Sequence, residues 1–333
     1  MTLRSLRRLR AAAIALAAMC CAPAAQAQPA AWKPAKNVEI VVGLTAGSSQ
    51  DRTGRALQSL MQAKALLNVT SSVVNRVGGG GSVAWNYLAQ HPADAHWLQI
   101  ASPTILTNQI IGTAPFTYTD YTPLALLGNQ YIGFAVRAES SLKTARDLTE
   151  RLRADPASVT IAINSLGSYL HMVCALTARS AGVDPKKLKL VIFQGGELMT
   201  AALGGHVDVI VTVTSNLLPH VEGGKLRLLG ISSARRLPGA LAQAPTLKEQ
   251  GIDVVLANWQ GVFGPPKLAP EQIAYWDGVF GRLVKTDEWR RDQEQNLWES
   301  DYMNAADYAR FLKADYDQTK AVFIELGLAR KDL

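Results

Sequence analysis

The chain has 333 residues, is nearly half apolar, and carries 34 Lys and Arg against 27 Asp and Glu. That length and apolar content suit one large domain or two of ordinary size. The formal charge of +7 invites a polyanionic partner, but four of the arginines lie within the first ten residues and no dense basic run follows, so no nucleic-acid binding is expected.

Taken in chain order, Arg4, Arg7, Arg8 and Arg10 precede an apolar run from Ala11 to Ala18, and Ala25-Gln26-Ala27 supplies small residues at a cut site. This is the layout of a secretory signal peptide over residues 1–27, cleaved after Ala27 so that the mature chain starts at Gln28 in the periplasm. A short membrane anchor competes with it, although the run is far below the ~20 residues of a span. A lipid anchor on Cys20 or Cys21 is the other alternative. It is opposed by Met19 and Cys20 standing where a lipoprotein signal has a small residue. The leader takes four arginines and no acid with it, so the mature charge falls to +3. Cys174 is then the lone cysteine, among Met172, Val173, Ala175 and Leu176, which reads as core packing.

Strands and helices then alternate. Val38–Val42, Val69–Val74 and Trp97–Ala101 read as strands, with helices over Asp51–Lys64 and Ser82–Gln90, the latter capped by Ser82. A second unit follows: strands at Gly133–Val136, Val159–Ile163, Leu188–Phe193, Val207–Val213 and Leu226–Ile231, helices at Ala145–Arg153, Ser168–Ser180 and Leu198–Leu203. Beyond Pro265-Pro266 the chain reads as helical over Pro270–Leu283, Glu288–Gln295 and Ala305–Leu326. Alternation of this kind predicts an α/β fold with parallel strands and right-handed crossovers. With no low-complexity linker, two α/β units should share a hinge of ordered strands.

Enzyme signatures are sparse. The five histidines have no metal-ligand spacing on a helix face, and His206 with Asp208 is a weak metal hint beside the plainer reading of a loop at a strand start. There is no Gly-x-Ser-x-Gly elbow, and Gly78 to Gly81 lacks the Lys-Ser/Thr of a P-loop. Gly79-x-Gly81-x-x-Ala84 resembles a dinucleotide fingerprint, but it follows the second strand, and Asp94 lies too close to serve the ribose. No catalytic residue, metal or cofactor is expected.

Ligands of open parallel sheets bind beyond the carboxyl ends of the strands. Those ends are the loops Thr45–Gln50, Gly78–Gly81, Ser102–Thr107, Asn164–Ser168 and Gln194–Gly196. Ala46-Gly47-Ser48-Ser49 opens one helix with small residues that leave backbone N–H groups uncovered, a setting that favours an anion. Gly167-Ser168 repeats the arrangement in the second unit. Candidate ligand-binding residues are therefore Thr45, Ala46, Gly47, Ser48, Ser49, Asp51, Gly80, Ser102, Thr104, Asn164, Gly167, Ser168, Gln194 and Gly195, with Asp51 serving at least as a helix cap.

These loops resemble those of the Bug or TctC family, the periplasmic solute receptors of tripartite tricarboxylate transporters. Val41 to Asp51, continued by Arg55 and Leu57, stands for the family's first strand and Ala-Gly-Gly-x-x-Asp loop, and Asn75-Arg76-Val77-Gly78-Gly79-Gly80-Gly81 for its Asn-Arg-Pro-Gly-Ala-Gly-Gly stretch. Gly167-Ser168 with His171, Leu203 to Val209, Pro219-His220, Gly224 to Arg227, Ser232 to Arg236, Ala244-Pro245-Thr246 and Gly261 to Pro265 follow the same order. The resemblance implies a type II periplasmic-binding-protein fold. Domain 1 would take 28–131 plus 260–333, domain 2 would take 132–259, and the ligand cleft and hinge would lie between them. It adds Tyr169, His171 and Thr212 to the candidate site. It implies capture of a di- or tricarboxylate, an amino-acid dicarboxylate or an aromatic carboxylate by backbone N–H groups, hydroxyls and waters rather than a guanidinium clamp. A monomer delivering to membrane transporter subunits is implied. The alternatives are a receptor docking on a sensor-kinase ectodomain, or an enzyme on the same fold. Departures at Gly43-Leu44, Thr45, Ser48, Tyr169, Phe193-Gln194 and Thr212 remove a cation, add aromatic area, and leave room for a larger or aromatic acid.

Overall fold

The computed structural model describes residues 32–193 and 195–332. The signal-peptide reading, its Ala27 cut, Cys20, Cys21 and Gln194 lie outside them. The described chain begins with β1 (Val38–Val42), α1 (Ser49–Ala63), β2 (Ser71–Asn75), α2 (Ser82–Ala89), β3 (Trp97–Ala101) and α3 (Thr104–Ile110). It continues through β4 (Thr122–Arg137), α4 (Ala145–Ala154), β5 (Thr160–Ile163), α5 (Tyr169–Ser180), β6 (Lys189–Ile192), α6 (Glu197–Leu203), β7 (Val209–Val213), α7 (Thr214–Glu222) and β8 (Leu226–Ile231). It ends with β9 (Ala257–Gly264), α8 (Pro270–Leu283), α9 (Asp287–Gln295), β10 (Trp298–Glu299) and α10 (Ala305–Glu325). No described helix is long and apolar enough to cross a membrane.

The strands run β2-β1-β3-β9-β4-β7-β5-β6, with β8 and β10 also on β4. β1 pairs parallel with β2 and β3, and β5 parallel with β6 and β7, as the alternation requires. The sheet is nonetheless mixed. β9 is antiparallel to β3 and β4, and β4 is antiparallel to β7 and β8. The reason is β4 itself, a sixteen-residue strand of which only the end, Gly133–Val136, stands out in sequence. Its first ten residues, Thr122–Tyr131, pair with β9, and Ile132–Arg137 pair with β7 and β8. Pro123, Gly128 and Asn129-Gln130 break its apolar pattern, and register shifts accompany Pro123 and Gly128. β9 is hidden for the same reason, by Gly261 and its polar neighbours Asn258 and Gln260.

The central strands are buried, and β7 wholly so, as its β-branched run predicts. One core gathers Trp85, Phe116, Tyr121, Trp259, Phe263, Tyr308 and Leu312 around the first strands. Another gathers Phe134, Tyr169, Val173, Cys174, Val211 and Phe323 around β5 and β7. Tyr308 and Phe323 both belong to α10, so this one helix packs into both cores and, from Lys33 on, the described residues form one compact unit. The fold is thus the two-lobed α/β arrangement of periplasmic binding proteins. Ser82 is not the cap of α2: Gly81 takes that position at φ +96°, and the Ser82 hydroxyl is buried with no partner among the described residues.

Gly261 marks the tightest approach in the sheet. A Cβ there would enter the Tyr308 phenol and sit 2.8 Å from the backbone oxygen of Ala125. Gly261→Ala is therefore expected to cost about 1–3 kcal/mol by overpacking. Urea unfolding checks this, and an unmoved midpoint would refute it.

Candidate functional site

The loops at the carboxyl ends of β1, β3, β5, β6 and β7 converge on one cavity of about 440 Å³. That is within the usual range for a small-molecule site. Its lining takes Thr45, Ala46, Gly47, Ser48 and Ser49 from the first loop, Gly80 from the glycine turn, and Ser102 and Thr104 from the start of α3. From the other side come Asn164, Ser168, Tyr169, Gly195 and Thr212. Asp51, Gly167 and His171 are expected ligand contacts that do not line it.

Two helix starts open here. Ser48 caps α1 by accepting from the Asp51 N–H at 3.3 Å, and Ser168 caps α5 by accepting from the His171 N–H at 3.3 Å. The N–H groups of Ser49, Gln50, Tyr169 and Leu170 are the orphan donors of those first turns. They have no acceptor among the described residues, and all four residues line the cavity. The two serines differ in what remains of their hydroxyls. The Ser168 hydroxyl donates to the Ser165 carbonyl at 2.8 Å, whereas Ser48 makes no such donation among the described residues.

Behind these turns the three residues outside the lining hold the loops in place. Asp51 accepts from Gly47 N–H (2.9 Å), from Asn75 Nδ2 (3.0 Å) and from Arg55 Nε (2.9 Å) and Nη2 (3.0 Å). Burial pushes its carboxyl pKa up, but these hydrogen bonds and the Arg55 charge outweigh it, so the group lies below the ordinary value. The Gly47 N–H, expected to serve a ligand, is thus spent on Asp51. In the second loop the Gly167 N–H donates to His171 Nδ1 at 3.0 Å, and burial lowers His171 to about 4. At neutral pH the ring is uncharged, with its proton on Nε2.

Tyr169 lines the cavity, but its hydroxyl turns away. It donates to Asp315 Oδ1 at 2.8 Å and lies 2.6 Å from Thr319 Oγ1, while Trp259 Nε1 donates to Asp315 Oδ2 at 2.7 Å. Asp315 of α10 therefore ties α5 to β9. Burial raises its pKa more than the two hydrogen bonds lower it. A raised folded pKa means that stability falls as pH rises from the unfolded value of about 3.9 through the folded one. Asp315→Asn should abolish that slope, since an amide can still accept from Trp259. Asp315→Ala should cost about 1–3 kcal/mol by stranding the indole N–H. Unfolding curves from pH 4 to 8 test both; parallel profiles for Asn and wild type would contradict the assignment.

The lining also holds residues that the sequence does not single out. Trp85, Gln99, Leu170, Leu198, Met199, Ser215, Asn216, Asn258 and Gln260 all face it, as does His220 of the Pro219-His220 pair. Several sit on α7 and β9, whose Pro219 and Gly261 mask the pattern. Arg52 lines it too: Nη1 donates to the Gly47 carbonyl at 2.8 Å and Nη2 to Asn216 Oδ1 at 2.9 Å. Asn216 in turn donates to Thr212 Oγ1 at 3.1 Å. Opposite the first loop, a Cβ on Gly195 would lie 2.6 Å from Thr45 Oγ1, so the two sides nearly touch.

A two-lobed α/β fold with a cavity between two helix starts is that of a periplasmic solute-binding protein. Residues 55–328 match the tripartite tricarboxylate transporter family receptors, TctC, and the chain belongs to that family. A Cupriavidus necator relative, the UPF0065 protein in the gbd 5′ region, is 30% identical over 96% of this chain and 94% of its own. Rhodopseudomonas palustris Rpa4515, solved with adipate, superposes with a TM-score of 0.81 at 23% identity, covering 89% of this chain and 99% of that one. MatC of Rhodopseudomonas palustris, solved with bound malate, superposes at 0.76 and 21%, covering 87% and 99%. The family's members are periplasmic receptors and its structural neighbours are solute-binding proteins rather than enzymes.

Proposed function

We propose that the protein captures a small organic acid in this cleft and delivers it to the membrane subunits of a tripartite tricarboxylate-type transporter, with no covalent chemistry. The observation that carries the reading is the set of four N–H groups, two from each helix start, that have no acceptor among the described residues and open into one cavity whose lining includes hydroxyls and amides. Such donors, with the positive ends of two helix dipoles, suit a carboxylate. The malate and adipate bound by structural neighbours are acids of the same kind. In this reading the leader is removed after Ala27, the monomeric receptor works in the periplasm, and 28–131 with 260–333 closes on 132–259. The ligand-binding set is Thr45, Ala46, Ser48, Ser49, Gly80, Ser102, Thr104, Asn164, Ser168, Tyr169, Gly195 and Thr212.

A thermal-shift screen against malate, adipate, citrate, aspartate, glutamate and benzoate tests it. An acid that binds only the folded state raises the midpoint by mass action. At least one should do so in a saturable manner, and be recovered unchanged. No shift with any organic acid would end the reading.

A further inference from the structure

Arg52 is out of place in a site of neutral donors. Its guanidinium is partly buried, and its hydrogen bonds among the described residues go to two uncharged acceptors, the Gly47 carbonyl and the Asn216 amide. No described carboxylate lies within ion-pair distance of it, whereas the neighbouring Arg55 pairs with both oxygens of Asp51. Asp292 of α9 and Asp51 exert longer-range attractions only. Among the described residues no Asp or Glu lines the cavity, and no other Lys or Arg does. A guanidinium carries five donors, of which two are engaged among the described residues, leaving three N–H groups that can serve a carboxylate. A partly desolvated cation with no carboxylate in contact is unfavourable, and an anion entering the cavity would supply that contact.

Resting on the organic-acid reading, we propose that Arg52 is the residue that sets the charge specificity of the cavity: it pairs with one carboxylate of the ligand and makes the site select an ionised acid over its uncharged amide. The rest of the wall, with its hydroxyls and amides beside Trp85, Leu170, Leu198 and Met199, then holds an uncharged or mixed body. The ligand class this favours is an organic acid with one carboxylate held by a cation. Any second acidic group would be met only by neutral donors.

Matched acid and amide pairs test this on the wild type before any substitution: adipate and adipamide, hexanoate and hexanamide, benzoate and benzamide, by titration calorimetry. The expected result is that each acid that binds does so at least tenfold more tightly than its amide. Arg52→Gln should weaken the acid roughly ten- to a hundredfold and the amide less than about threefold, and Arg52→Lys should fall between. Two results would overturn the inference while the receptor reading stands. One is a wild type that binds an acid and its amide alike. The other is an Arg52→Gln variant that loses thermal stability yet keeps the discrimination, which would make Arg52 only a link between the first loop and α7. A wild type that binds no organic acid would remove both.

Discussion

Asp51→Ala should lower stability by about 2–3 kcal/mol and affinity for the acid that gives the largest thermal shift by more than tenfold. The carboxylate is buried and gathers donors from three places: the Gly47 backbone in the loop, Asn75 at the end of β2, and Arg55 one turn on in α1. Hydrogen bonds to a charged group each contribute about 1.5–3 kcal/mol, but Arg55 is solvent-exposed and recovers water when released, so the sum is not reached. The affinity loss has a different origin. Gly47 adopts φ +80° and its N–H is fixed by Asp51, so without the carboxylate the loop no longer presents the Ser49 and Gln50 N–H groups in one orientation. Because the carboxyl pKa is depressed, its contribution is present above about pH 3.9 and is lost as pH falls through the folded value. Urea unfolding and titration calorimetry on Asp51→Ala and Asp51→Asn decide it. Wild-type affinity in a destabilised Asp51→Ala would reduce the residue to a helix cap.

Acidification should weaken the fold through His171. Its pKa falls from 6.5 in the unfolded chain to about 4 in the folded one, so between those values the unfolded chain binds the extra proton. The stabilising difference is complete above about pH 6.5, declines as pH falls, and is gone below about pH 4, amounting to about 3 kcal/mol at 1.36 kcal/mol per unit. Protonation places a second N–H against the Gly167 N–H that Nδ1 now accepts. The loop that opens α5 is therefore the part that loosens. Asp315 contributes in the opposite sense over part of this range, so the measurement is the wild-type profile minus that of His171→Gln, which offers an acceptor and does not titrate. A flat difference from pH 7 to 4 would show that the imidazole is not buried as described.

What could be read in the sequence was what obeys local rules. β1, the small-residue loop and α1 are written as a β-branched run, uncovered backbone and an apolar stripe, and the same is true of β5, Gly167-Ser168 and α5. Ser48 and Ser168 were legible as helix openers because a hydroxyl at that position has few other uses. The strands that join the two halves were not, since β4 and β9 owe their conformation to each other and their Pro and Gly residues suggest loops when read alone. At the site the sequence offered residue types and withheld partners. Gly47 could not be known to spend its N–H on Asp51, nor Tyr169 its hydroxyl on Asp315, a residue 146 positions away. Nothing in the local sequence marks Arg52, whose partner Asn216 lies 164 positions on.

The antiparallel seat of β9 also governs when the protein can fold. β3 is bordered on one side by β1 and on the other by β9, with Gln99, Ile100 and Ala101 opposite Phe263, Val262 and Gly261. The first three strands can therefore emerge from the ribosome, pair with one another, and still present a bare apolar edge until residues more than 150 positions later have been made. Closing so long a loop is slow, and an unpaired edge invites association with other chains in the meantime. The nascent chain thus stays incomplete through most of its synthesis, an extended interval in which a chaperone meets an unfolded polypeptide rather than a finished lobe.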